Sequence, residues 1–153
     1  MINFKKIFLL YFLIILTSCG YTPLLNTVNN DFSINSLTLT GDRQINNFIS
    51  ANLKKYQNKN EDSKNYKLDI ISEYQKNVTN RDDSGNPKNY SIKTKILVNL
   101  FLNNENIKSQ TFERSASFSA QDKKIDEKEL ENKYKKDLSN LLGQDIIFLL
   151  RNQ

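Results

Sequence analysis

Hydrophobic and polar positions alternate along this chain with two periods, and the switches between them mark out the elements. In DFSINSLTLTGD, Asp31 to Asp42, Phe32 and Ile34 alternate with polar neighbours, and the pattern resumes at Leu37 and Leu39. Period-two spacing predicts a short strand with a one-residue irregularity, ended by Gly41. Asp42 is suited to cap a helix, because its carboxylate can accept from the first unpaired backbone N–H groups. Ile45, Phe48, Ile49, Leu53 and Tyr56 then recur at three- and four-residue spacing, giving one apolar helical stripe. The polar run QNKNEDSKN ends that helix. Tyr66, Leu68 and Ile70 alternate with Lys67 and Asp69, predicting a second strand that extends to about Val78.

Thr79 to Asn89, TNRDDSGNPKN, concentrates turn-forming residues and reads as a long loop. The clearest strand follows. Tyr90, Ile92, Thr94, Ile96, Val98, Leu100 and Leu102 share one face, whereas Ser91, Lys93, Lys95 and Asn99 share the other, interrupted by Leu97 and Phe101. Alternation this long predicts a sheet covered on one side and wet on the other. NNEN, Asn103 to Asn106, predicts a hairpin turn, followed by a strand from about Ile107 to Phe118. In the last segment, Asp126 and Glu129 resemble a capping box. Leu130, Tyr134, Leu138, Leu141, Leu142, Ile146, Leu149 and Leu150 recur near the helical period, with Arg151 at the end. Leu138 and Leu142 are expected on the sheet near Ile96 to Leu100, and Gly143 is expected to bend the helix. The fold class is therefore α+β: a two-layer sandwich, a four-stranded mostly antiparallel sheet with two helices on one face, in the order β-α-β-β-β-α.

The beginning of the chain follows neither period. Lys5 and Lys6 precede an uncharged apolar run from Ile7 to Leu16. As a helix this run spans roughly 15 Å, about half of a bilayer's hydrocarbon core. A basic start, a short apolar stretch and the small residues Thr17 and Ser18 instead fit a secretory signal peptide. Leu16-Thr17-Ser18-Cys19 resembles a bacterial lipobox, in which the cysteine sulfur is acylated and the chain is cut before it. Cys19 is the only cysteine, so it has no disulfide partner within the chain. Acylation accounts for it, since two or more acyl chains anchor stably where one is marginal. The expected organisation is a signal peptide over 1–18, a lipidated tether over 19–30 and a single domain over 31–153. Cleavage would remove Lys5 and Lys6 and lower the net charge from +5 to +3.

Composition then narrows the chemistry. Histidine, the commonest general base, does not occur, and the 4 glycines form no phosphate-cradling loop. Asp82-Asp83 sits in a turn segment, where paired carboxylates are ordinarily solvated. The chain is expected not to be an enzyme and to need no cofactor or metal. Export and dispersed basic charge likewise set nucleic acid aside as a partner.

The lipobox, then Cys19-Gly20-Tyr21-Thr22-Pro23-Leu24, the Asp82/Gly85 turn between long strands, Phe112 to Phe118 and the late Leu-rich helix together resemble the lipopolysaccharide-assembly lipoproteins of the LptE family, in its alphaproteobacterial form. The resemblance implies a non-enzymatic lipoprotein of the outer membrane, held at the periplasmic side of the lipid bilayer through an acyl anchor. It implies the outer-membrane β-barrel LptD as partner, plugged and assisted in assembly, and a role in delivering lipopolysaccharide. A barrel lumen is polar, so the wet strand face with Lys93 and Lys95, and the loop with Arg81 and Lys88, are the candidate contacts to lumen carboxylates or lipopolysaccharide phosphates. Alternatives are an auxiliary lipoprotein of an ABC-type lipid transporter, separable by partner pulldown, and a periplasmic binding or inhibitor module without a barrel partner.

Lipidation gives the first prediction. Cys19→Ser is expected to leave an unprocessed, unlabelled precursor under metabolic labelling with a fatty-acid analogue; equal labelling of both proteins would exclude Cys19 as the anchor.

Overall fold

The computed structural model describes residues 32–57 and 64–153. The 1–18 signal segment, Cys19 and the 19–30 tether lie outside the described residues. Strand β1 (Phe32–Gly41) leads into helix α1 (Arg43–Leu53) and a single 3₁₀ turn (Lys54–Tyr56). Strands β2 (Lys64–Arg81), β3 (Pro87–Leu102) and β4 (Glu105–Ser119) follow, and helix α2 (Lys124–Arg151) completes the domain. The sheet order is β1-β2-β3-β4. β1 runs parallel to β2 through the α1 crossover, while β2–β3 and β3–β4 are antiparallel. The α+β class, the four strands and the element order match the sequence pattern.

Local chemistry explains the boundaries. The irregularity in β1 is a register shift between Ile34 and Ser36, which keeps Leu37 opposite Leu68 on the inner face. Gly41 has φ +100°, and a Cβ there would stand 1.9 Å from the Ser72 carbonyl oxygen. Only glycine lets the chain leave β1 so close to β2. Asp42 caps α1 as its sequence position suggests, its Oδ1 accepting from the amides of Gln44 and Ile45 at 3.0 Å. Asn103 and Asn104 have φ of 52° and 68°, the pair of left-handed residues that a two-residue hairpin requires.

Both helices cover the one apolar face. Ile45, Ile49, Leu53, Leu68, Ile70, Ile96, Val98, Leu100, Leu142 and Ile146 are buried in the main cluster. A smaller cluster of Ile92, Phe118 and Leu138 lies beside Tyr90 and Tyr134. Leu142 therefore packs with the Ile96–Leu100 row, whereas Leu138 sits further along, against Ile92 and Phe118.

Three expectations are corrected, and Gly143 gains a packing reason. α2 begins at Lys124 after Lys123, whose side chain makes no cap, so Asp126 is a first-turn residue that meets the helix dipole instead of a capping box. Helix α2 continues through Gly143, which serves close approach: a Cβ there would lie 3.1–3.4 Å from the Asn52 side chain of α1. Leu141 leaves the stripe and is 45% exposed. Finally, the turn segment 79–89 is largely strand, because β2 runs to Arg81 and β3 starts at Pro87.

The packing generates a paired prediction. Leu142→Ala should cost about 2–5 kcal/mol in urea unfolding, because Leu142 is fully buried. Leu141→Ala should stay within about 0.5 kcal/mol. Similar losses at both positions would mean that α2 is rotated about its axis.

Candidate functional site

The helix-free face of the sheet is built by the alternate residues of β2, β3 and β4. Lys93 and Lys95 stand near its centre, with Gln75 and Glu73 opposite them on β2 and Ser115 and Glu113 on β4. Neither lysine lacks a partner. Lys93 Nζ lies 2.8 Å from Glu113 Oε1, diagonally across the ladder, and Lys95 Nζ lies 3.9 Å from Glu73 Oε2. Both lysine side chains remain 44–46% exposed. Exposed pairs of this kind contribute about 0–1 kcal/mol, so either lysine can exchange its carboxylate for a partner's anion at small cost. Towards the β3–β4 turn, Lys67 sits 5.2 Å from the Phe101 ring centre, and Ser109 donates to Asn99 at 2.8 Å. The face is wet and balanced in charge, with Ile71 and Leu97 as an apolar pair in register across β2 and β3. The depression between Glu73, Gln75, Lys93, Lys95 and Glu113 encloses about 190 Å³. That is below the range of ordinary small-molecule sites, so the arrangement suits a broad surface contact.

Arg81 and Lys88 are not gathered into that patch. Asp82 organises the turn between them: its Oδ1 accepts from the amides of Ser84 at 2.9 Å and Asn86 at 2.8 Å, and its Oδ2 from the Asn86 side chain at 3.2 Å. The Asn86 bonds hold the Asp82 carboxyl below its ordinary pKa, with smaller help from Ser84 and Lys88. Arg81 Nη1 donates to the Gly85 carbonyl at 2.7 Å, bracing the turn from within. Lys88 is exposed, and by strand alternation it belongs to the row of Tyr90 and Ile92, opposite to that of Lys93 and Lys95. The four candidate cations thus divide into a pair on the wet face and two flanking a tight turn.

No protein-family model and no curated protein matches the chain. Solved structures do. Rare lipoprotein B from Shewanella oneidensis superposes with a TM-score of 0.57 at 13% identity, over 77% of this chain and 98% of that one. Uncharacterized lipoprotein B from Nitrosomonas europaea gives 0.57 at 18% identity, over 76% and 80% of the two chains. A minor lipoprotein from Acinetobacter baumannii gives 0.56 at 14% identity, over 77% and 89%. The chain shares its fold with these lipoproteins.

Between α2 and the sheet lies a charged cluster that sequence patterning does not reveal. Glu131 is 7% exposed and accepts from Tyr74 Oη at 3.0 Å and from Lys76 Nζ at 3.1 Å. Lys76 also donates to Glu127 at 2.9 Å, and its ammonium stands 4.1 Å from the Tyr90 ring centre. Lys135, equally buried, places Nζ 3.5 Å from Asp42 Oδ2 and 3.6 Å from the Tyr74 ring centre. The residue that caps α1 is thereby tied to α2. Lower on the helix, Arg114 of β4 forms a two-pronged bond to Asp145 at 3.0 and 2.6 Å.

The protonation states follow. Burial opposes charge on both Glu131 and Lys76, but the hydrogen bonds between them, with Tyr74 and Glu127, outweigh it. Glu131 is held below the ordinary carboxylate range, and Lys76 above the ordinary ammonium range. The Tyr74 phenol is pushed well above its usual value, by burial first and then by the hydrogen bond to and charge of Glu131. The only available signal was the i, i+4, i+8 spacing of Glu131, Lys135 and Ser139, which share a side of α2 with its leucines.

A depressed carboxylate stabilises the fold above its unfolded pKa, near 4.3, and that contribution is lost as pH falls through the lower folded value. Glu131→Gln should therefore cost about 1.5–3 kcal/mol at pH 7. The deficit relative to the parent should narrow below about pH 4 in urea titrations. A deficit unchanged down to pH 2 would show that Glu131 acts by shape alone.

Proposed function

We propose that the chain is an outer-membrane lipoprotein, anchored through Cys19 on the periplasmic side, that plugs an LptD-type β-barrel and supports its assembly in lipopolysaccharide transport. The observation that carries this reading is the fold held in common with rare lipoprotein B over 98% of that chain. Leu16-Thr17-Ser18-Cys19, in the expected place ahead of the domain, gives it independent support. The role is non-enzymatic and consists of surface contact.

The physical fit lies in the helix-free face. A plug must line a polar lumen, and a large apolar patch there would drive aggregation before the partner is met. Here the outer rows of β2, β3 and β4 offer hydroxyls, amides and loosely paired charges, with the apolar face closed under the helices. Lys93 and Lys95 meet lumen carboxylates or lipopolysaccharide phosphates by exchanging Glu113 and Glu73 for them. The Asp82–Asn86 turn, stiffened by Asp82 and Arg81, enters as a compact tip.

Charge reversal tests this contact. Lys93→Glu with Lys95→Glu places like charges beside Glu113 and Glu73 and should lower the free domain's stability by about 1 kcal/mol or less. Copurification of the barrel, or binding of lipopolysaccharide, should fall, and fall more at low salt where screening is weakest. Undiminished binding of both by the double variant would make this face solvated surface only.

A further inference from the structure

The end of the domain away from the Asp82–Asn86 turn gathers features that the plug face does not use. Phe148 is 70% exposed on α2 and has no place in the core. Grooves flank it on both sides, one lined by Lys55, Tyr56 and Arg151, the other reaching Lys108. Lys64 joins the same end, its Nζ donating to the Gln153 backbone oxygen at 2.9 Å. Among the described residues the one acidic side chain lining either groove, Asp145, gives both oxygens to Arg114 and leaves Lys55, Lys108 and Arg151 without a carboxylate partner. Among the described residues Glu105, at the β3–β4 hairpin, is the other acid near this end; Asp31, Glu61 and Asp62 adjoin it in sequence and lie outside the described residues. The opposite end carries Asp82, Asp83, Asp122 and Asp126 among its cations.

Topology adds a second, independent observation. The chain from Cys19 enters the domain at Phe32, whose ring stacks on Tyr56 at 5.1 Å. The exposed aromatic and its cations therefore occupy the end from which the anchoring segment departs. The residues between Cys19 and Phe32 span at most about 45 Å when extended, so the anchored bilayer lies within reach.

We propose that this end is a membrane-docking face, on which Lys55, Lys64, Lys108 and Arg151 meet the anionic phospholipid headgroups of the leaflet that holds the anchor while Phe148 enters the boundary between headgroups and acyl chains. The proposal rests on the lipoprotein reading above. An exposed aromatic ringed by cations is the pairing that binds an anionic interface, apolar insertion and electrostatic attraction each adding to the other. A second copy offering the same end would set cation against cation. Docking here leaves the helix-free face and the Asp82–Asn86 turn pointing away from the lipid.

The test uses the chain from residue 19 onward with Cys19→Ser, which retains every described residue and removes both the acyl group and the apolar signal run. Vesicles of phosphatidylcholine alone are compared with vesicles containing phosphatidylglycerol. Cosedimentation should occur with the anionic vesicles only, and should weaken as salt is raised. Lys55→Gln and Arg151→Gln should each weaken it about fivefold, and Phe148→Ser should weaken it further. The chain has no tryptophan, so Phe148→Trp reports the site alone, and its emission should shift to the blue on the anionic vesicles. No binding at low salt, binding insensitive to these substitutions, or a blue shift without vesicles that marks self-association would each overturn the proposal. Failure of labelling at Cys19 would overturn the anchor reading separately, because the vesicle assay contains no acyl group.

Discussion

Burial of the inner row of β3 beneath α2 is the constraint on which the other features depend. β2 and β3 pair from Tyr66–Leu102 to Arg81–Pro87, and their alternation sends Leu68, Ile70, Ile96, Val98 and Leu100 to one side. A sheet with one apolar face is unstable in water until that face is covered. α2, 28 residues long, runs along most of it, and α1 fills the remainder beside β1. Once both helices are committed to that side, the other side must face water or a polar partner, and its composition of lysine, glutamate, serine and asparagine is a consequence.

Covering a sheet with a long helix also brings charged residues inside. Glu131 and Lys135 lie on the inward side of α2, where they would be costly if unpaired. Tyr74 and Lys76 of β2 and Asp42 at the head of α1 satisfy them. These bonds are directional where leucine contacts are not, and they join β2, α1 and α2 at one place. Arg114 with Asp145 gives α2 a second fixed point on β4. Apolar packing supplies most of the attraction, and the charged contacts set the rotation and register of α2.

Two ends and one face remain for interaction, and they differ physically. The helix-free face carries charges in exposed pairs that exchange readily. The Asp82–Asn86 turn is stiff, since its side chains are spent on its own backbone. The Phe148 end carries Lys55, Lys108 and Arg151, which form no ion pair among the described residues, around an exposed aromatic ring. A lipid-anchored domain inserted in a barrel would need a compact tip, a polar flank and an end compatible with the bilayer surface, and the helix-free face lies between the Asp82–Asn86 turn and the Phe148 end.

The sequence by itself determined the element order, the α+β class, the wet and dry faces of β3, the break at Gly41 and the cap at Asp42. These are local: period two or 3.6 decides which side chains share a face, and a cap needs only its own first turn. Tertiary structure decided the rest. Pairing with β3 turned most of 79–89 into strand, because ladder hydrogen bonds across β2 and β3 outweigh the local turn preference of Asn and Asp. The path of α2 across the sheet exposed Leu141, brought Gly143 against Asn52 and buried Glu131 and Lys135, since only the neighbouring elements define which arc of a helix is inside. The candidate cations divided as well: Lys93 and Lys95 share one face of β3, Lys88 falls on the opposite row once β3 extends back to Pro87, and Arg81 is bound to the turn through the Gly85 carbonyl.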